Sequence, residues 1–158
     1  MPNRSGQQLT ILVVDDELLI RDLCSKGLRK YRILQAGSFQ EALDCYGSQP
    51  VDLVLTDIQM PGGSGIELLR RIKKSDPNAL VLVMTGFGDK ETVLEALRAD
   101  ADDFIQKPVN LLYLQTAIEK ALSKRVLKEE LAAMQYLDSL KGAFLSLVSH
   151  KLKTPLTS

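Results

Sequence analysis

Near the start of the chain stands Leu9-Thr10-Ile11-Leu12-Val13-Val14-Asp15-Asp16. The run from Leu9 to Val14 is short, apolar and rich in β-branched residues, and it stops at two consecutive carboxylates. A strand with one wet face alternates polar and apolar residues. An unbroken run leaves no face for water and reads as a strand covered on both sides, as in parallel sheets. Working outward, the same unit recurs. A helical stretch runs from Glu17 to about Lys30, with Ile20, Leu23, Cys24, Gly27 and Leu28 on one side. Arg32 to Ala36 is a weaker strand. Ser38 opens a helix, with Glu41 three residues on completing a capping box and Phe39, Ala42, Leu43 and Tyr46 forming its apolar face. Val51 to Asp57 is a strand, and Met60 to Gly65 is a loop rich in Gly and Pro. Ile66, Leu69 and Ile72 stripe a helix ending near Asp76-Pro77. Leu80 to Thr85 is a strand and Gly86-Phe87-Gly88 a loop. Val93, Ala96 and Leu97 stripe the next helix, and Asp103 to Gln106 is a last strand closed by Lys107-Pro108. Strands alternating with helices predict an α/β fold, a doubly wound five-stranded parallel sheet built by right-handed crossovers.

The rest of the composition is permissive. The chain has 158 residues, 45% of them hydrophobic and 25% charged, with 20 basic residues balancing 20 acidic ones. That balance points to neither nucleic acid nor a membrane surface. No apolar run reaches membrane-spanning length. Residues 1–8 are polar, lack the apolar stretch of a signal peptide and read as a loose end. Cys24 and Cys45 are too few for a disulfide framework and fall on predicted helices. They read as buried free thiols of a cytoplasmic protein.

Placed on this fold, Asp15, Asp16 and Asp57 sit at the C-terminal ends of neighbouring strands, the edge where doubly wound sheets bind ligands. Thr85 and Lys107 end two further strands and are predicted to reach the same crevice. Carboxylates gathered in one crevice repel each other and call for a cation. An all-oxygen site selects Mg2+ or a similar hard ion such as Mn2+. A carboxylate can attack a phosphoryl group to form an acyl phosphate. The metal and Lys107 would neutralise the phosphoryl oxygens, and the Thr85 hydroxyl would donate to them.

The order Asp15-Asp16, Asp57, Thr85, Lys107-Pro108 resembles the response-regulator receiver family over roughly three-quarters of the chain. The resemblance implies a flavodoxin-like strand order of 2-1-3-4-5 and Mg2+-dependent phosphoryl acceptance on Asp57. It implies that Asp16 binds the metal directly, Asp15 mostly through water, and that the Gln59 backbone carbonyl joins them. Thr85 and Phe104 match the family's switch pair, and Lys107-Pro108 matches a bond that is usually cis. Met60-Pro61 and Gly65 fit the loop after the acceptor. Gly63 replaces a larger apolar residue, which predicts a looser loop.

From Asn110 no Gly or Pro appears until Gly142. A helix through that span would be about 50 Å long. It is expected to leave the domain near residues 121–124 and continue as an exposed helix. Leu127, Leu131, Met134, Leu137, Leu140, Phe144 and Leu147 recur mostly at steps of three or four, as in a parallel coiled-coil homodimer, with a stammer between Leu131 and Leu140. The competing reading is one amphipathic helix folded back on the domain. The final segment, Phe144 to Leu156, resembles the phosphoacceptor segment of a sensor histidine kinase, with His150 as the acceptor and Thr154-Pro155 after it. Lys151 stands where that family carries an acid, and Lys153 where Arg is usual.

The expected domains are therefore a loose end (1–8), a receiver (9–122), a signalling helix (123–142) and the start of a kinase acceptor helix (143–158). Together they resemble part of a hybrid histidine kinase whose ATP-binding domain lies outside this sequence. An upstream histidine kinase or phosphotransfer protein is the implied donor. The alternatives are a stand-alone regulatory receiver that docks a partner protein, and the receiver of a transcription factor. The Met84-to-Gly88 loop resembles the latter, but the tail has no DNA-binding spacing.

Overall fold

The computed structural model describes residues 8–60, 62–86 and 90–156, with side chains up to residue 150 except at the gaps. The residue 87–89 loop, Pro61, residues 1–7 and the side chains of Lys151, Lys153 and Thr154 lie outside the described residues.

The elements follow in order: β1 (Thr10–Val14), α1 (Leu18–Gly27), β2 (Arg32–Ala36), α2 (Phe39–Ser48), β3 (Leu53–Asp57), β4 (Gln59–Met60), β5 (Gly63–Ser64), α3 (Gly65–Ser75), β6 (Leu80–Thr85), α4 (Lys90–Arg98), β7 (Asp103–Gln106) and α5 (Leu111–Leu156). The main sheet has the order β2-β1-β3-β6-β7, and every pairing in it is parallel. Counting its strands alone, this is the expected 2-1-3-4-5 flavodoxin-like arrangement. β4 and β5 form a small antiparallel hairpin. The unbroken apolar runs became the central strands: every residue of β1, β3 and β6 is buried. β2 and β7 are the edges, and their sequences are correspondingly mixed.

Alternation along the strands divides the core. Ile11, Val13, Leu55, Leu82, Met84 and Ile105 pack with Cys24 and Leu28 beside α1 and with Leu114 and Ile118 of α5. Leu12, Val14, Val54, Val81 and Val83 pack with Ala42, Leu69 and Ala96 of α2, α3 and α4. Registering Val14 with Thr56 brings β1 and β3 to an end at the same level. Asp15 and Asp57 therefore emerge side by side.

Local chemistry explains the ends of the helices. Ser38 Oγ accepts from the Glu41 N–H at 3.2 Å. The return bond of the capping box is shifted by one residue, because the Glu41 carboxylate accepts from the Gly37 N–H at 2.7 Å. At the start of α3 the Ser64 hydroxyl likewise accepts from the Glu67 N–H at 3.1 Å, a signal the sequence reading passed over. α1 stops at Gly27, short of Lys30. The Gly27 carbonyl turns to accept from the Gln115 side chain at 2.8 Å, and the chain folds into a turn before β2. Three burial expectations need correction. Leu23 and Leu97 are exposed, and Cys45 is only half-buried. Each lies at the margin of its helix stripe, where a side chain faces solvent.

The chain divides into two compact units after Leu122. In the first, Leu114, Ala117, Ile118 and Ala121 of α5 are buried. In the second, Leu127, Leu131, Met134, Leu137, Leu140, Phe144 and Leu147 are all exposed. Among the described residues no helix is long and apolar enough to cross a membrane.

Candidate functional site

Asp15 follows β1 directly and is fully buried. Its backbone N–H bonds to the Ala36 carbonyl at the end of β2. Its two carboxylate oxygens are both engaged. One accepts from the Glu17 N–H at 2.9 Å, closing a turn onto α1. The other accepts from Lys107 Nζ at 2.9 Å. The same ammonium, fifty residues along the chain from Asp57, reaches it at 3.1 Å, so Lys107 bridges the ends of β1 and β3. Asp57 ends β3 and is nearly buried, and its second oxygen is approached by the Gln59 N–H at 3.5 Å. Asp16 is exposed and engages no partner among the described residues.

Electrostatics follow from this placement. Burial pushes the Asp57 carboxyl above its ordinary range. The hydrogen bond and charge of Lys107 offset only part of the rise, and Asp15 adds to it. Burial pulls the Lys107 ammonium down, but its bonds to Asp15 and Asp57 outweigh that, so it is held above the usual lysine value and stays charged.

Carboxylate oxygens of Asp15, Asp16 and Asp57 lie within 4.8 Å of one another. Oxygens bound directly to one Mg2+ at about 2.0–2.1 Å lie at most about 4.2 Å apart, so this spread is slightly wide for three direct ligands and suits a single hard cation reached by one of them through water. An open cavity of about 440 Å³ adjoins them, lined by Asp16, Asp57, Gln59, Met60, Gly86 and Lys107 among others. It has room for a cation and a phosphoryl group.

The remaining expected residues are distributed as follows. Thr85 ends β6 beside β3 and is buried, and its carbonyl accepts from the Lys107 N–H at 2.7 Å. Among the described residues no hydrogen bond joins its hydroxyl to the carboxylates. Phe104, on the edge strand β7, is 38% exposed. The Lys107-Pro108 peptide is cis, as the family resemblance implied. His150 is exposed near the end of α5, in the second unit.

One contributor escaped the sequence reading. Arg21 of α1 donates to the Asp15 carbonyl at 2.7 Å and so ties the acidic turn to its helix. No short motif marks it. Gly65 sits so close to β3 that a Cβ there would collide with the Asp57 carbonyl. Gly63 also corrects an expectation. Its neighbour is not empty space but the Phe39 ring, which lies where a larger side chain would go.

Residues 11–119 match the response regulator receiver domain. The chain belongs to that family. Receiver domains take phosphoryl groups from histidine kinases or phosphotransfer proteins and bind Mg2+ at an acidic pocket. The chain is 36% identical over 114 residues to sporulation initiation phosphotransferase F of Bacillus subtilis, covering 71% of this chain and 92% of that protein. It is 37% identical over 135 residues to a cyclic di-GMP phosphodiesterase of Thermotoga maritima, covering 84% of this chain but 36% of that relative. NtrX from Brucella abortus superposes with a TM-score of 0.76 at 36% identity, over 81% of this chain and 30% of that one. The receiver is thus similar both to a small phosphotransfer protein and to one part of much longer regulators. The chain spans 26% of the length of the response regulator PilR of Pseudomonas aeruginosa.

Proposed function

We propose that Asp57 accepts a phosphoryl group from a phosphohistidine donor. One observation carries this reading: a charged Lys107 pinned between Asp15 and Asp57, with Asp16 unengaged beside them at an open cavity. A carboxylate oxygen of Asp57 attacks phosphorus, the bond to the donor imidazole breaks, and an acyl phosphate forms on Asp57. A bound Mg2+ supplies charge neutralisation for the phosphoryl oxygens. Asp16 and Asp57 would hold it directly and Asp15 through water, since Asp15 is fully buried with both oxygens bonded at 2.9 Å, whereas one Asp57 oxygen has only a long 3.5 Å contact. The Gln59 carbonyl would complete the protein ligands. Lys107 exchanges its bond to Asp57 for one to the new phosphoryl oxygens while keeping Asp15, and the Thr85 hydroxyl donates to a further oxygen. Phe104 then turns inward to fill the space that Thr85 vacates.

Downstream, the phosphorylation state passes along α5 to a histidine-kinase core in a cytoplasmic hybrid protein, with residues 127–147 pairing as a homodimer. The apolar exposed face of that segment supports this. A second reading, a receiver governing another kind of output, is favoured by the long regulators it resembles, which include a phosphodiesterase and PilR. Incubation with acetyl phosphate and Mg2+ tests the shared core. Intact mass should rise by one phosphoryl group, the rise should vanish with a chelator, and Asp57→Asn should abolish it. Equal labelling of that variant would move the acceptor elsewhere.

A further inference from the structure

Phe39 is the first residue of α2, and its ring reaches across to the hairpin that follows the acceptor strand. It is 8% exposed. A Cβ built at Gly63 would stand 2.9 Å from the ring's Cγ and 3.0 Å from its Cδ2, closer than carbon atoms pack. The backbone of β5 therefore rests directly on the ring. On a further side the Arg71 guanidinium lies 5.6 Å from the ring centroid. Phe39 thus joins α2, β5 and α3 through one side chain.

The hairpin matters because of what it carries. Gln59 and Met60 of β4 pair with Ser64 and Gly63 of β5. Gln59 lines the cavity and its N–H faces Asp57. At the base the hairpin is tied by the Gly65 N–H to the Ile58 carbonyl at 2.6 Å. At the tip, Gly62 has a positive φ of 81° and nothing lies where its Cβ would be. Between a tied base and an open tip, the ring is the surface against which β5 is seated. Its own position is set by the Ser38 cap at the start of α2.

We infer that Phe39 is a positioning residue for the acceptor site: its ring, acting through Gly63, seats the hairpin that presents Gln59 to the metal. This rests on the Asp57 reading for what the site does, but not for the seating itself. The apolar volume that fixes this hairpin comes from α2 and not from position 63. Volume can therefore be moved from one to the other. Phe39→Ala removes the seat. Gly63→Leu with Phe39 present forces the hairpin off it. Together the two changes put an apolar side chain back into the gap.

The test uses the full 158-residue chain. Mg2+ affinity is measured by calorimetry for the wild type, each single variant and the pair, alongside hydrogen exchange of the metal-free proteins. Each single change should weaken Mg2+ binding about ten-fold, the scale for losing support behind a ligand. The pair should recover most of it. In the metal-free state, peptides covering β4 and β5 should exchange faster in the single variants, while β1 and β3 stay protected. Phe39→Leu, a milder change, should show the same direction if Phe39→Ala does not fold. Losses that add in the double variant, or variants with lowered melting temperature but unchanged Mg2+ affinity, would overturn the inference and leave Phe39 a core residue. If the wild type itself binds no Mg2+, the metal reading fails, and hydrogen exchange of β4 and β5 alone then decides whether Phe39 seats the hairpin.

Discussion

Asp57 is a carboxylate placed where its charge is unwelcome. Its pKa is raised chiefly by burial. A carboxyl raised in the folded state favours folding in its protonated form, and that contribution is lost as pH rises through the folded value. At neutral pH and without metal, ionised Asp57 therefore works against the fold. Asp57→Asn should raise the melting temperature in a chelator by a few degrees, the scale of about 1 kcal/mol in a chain this size. Mg2+ should reverse the order, stabilising the wild type by about 2.7 kcal/mol at a hundred times its dissociation constant while leaving the variant nearly unmoved. Thermal melts in both conditions check this. Cys24 gives a second expectation. It is fully buried, and burial, helped by Asp15, pushes its thiol up to about 11. Half-buried Cys45 should be alkylated first in the native chain, and mass mapping that finds Cys24 modified first would contradict the packing. The convergence of Asp15, Asp16, Asp57 and Lys107 was readable because each ends an apolar run, and strand ends share one edge of a parallel sheet. Arg21 and the Phe39–Gly63 contact were not readable. They are meetings in space between elements, with no spacing to betray them.

At the level of elements, the buried strands were the most legible part. β6 and β7 begin and end where the sequence reading placed them, and β1 and β3 differ by a residue or two at one end. Continuous apolar runs bounded by acids or turn residues leave little choice. The β4–β5 hairpin was read as plain loop, since two-residue strands have no periodicity. α1 was drawn too long because Leu28 is buried like a helix residue, yet it belongs to the turn beyond Gly27. In α4, Leu94 and Leu97 are both about half exposed, so its apolar count overstated its buried face. The second half of α5 carries the largest unpaid apolar surface. Its exposed residues step mostly by three and four, the spacing that buries a stripe against a second helix. Sedimentation of the full chain should give a dimer at tens of micromolar, and a chain ending at Lys124 should run as a monomer. Two monomers would remove the coiled coil.

Across the whole molecule, one helix belongs to both units, since α5 runs from Leu111 to Leu156 while the chain divides after Leu122. Its first turns are packed into the core beside Met84 and Ile105, strand neighbours of Thr85 and Phe104. If Thr85 and Phe104 are the switch pair proposed above, a change there has a physical path into the first turns of the helix. Loading with beryllofluoride and Mg2+ should alter hydrogen exchange in residues 123–150, with a shift of about 1–3 kcal/mol in pairing affinity if the coupling is of ordinary strength. Identical exchange with and without the mimic would separate the two units functionally. The fold and family were legible from the receiver's strand ends. The output was less so, because a long apolar-striped helix has the same spacing whatever it regulates. Everything downstream depends on one bond. After phosphorylation by acetyl phosphate, borohydride reduces an aspartyl phosphate to an alcohol that peptide mass mapping can locate. The reduced residue should be found at position 57 alone, and only when Mg2+ was present. A reduced site at Asp15 or Asp16, or none despite a gained phosphoryl group, would contradict the assignment of Asp57.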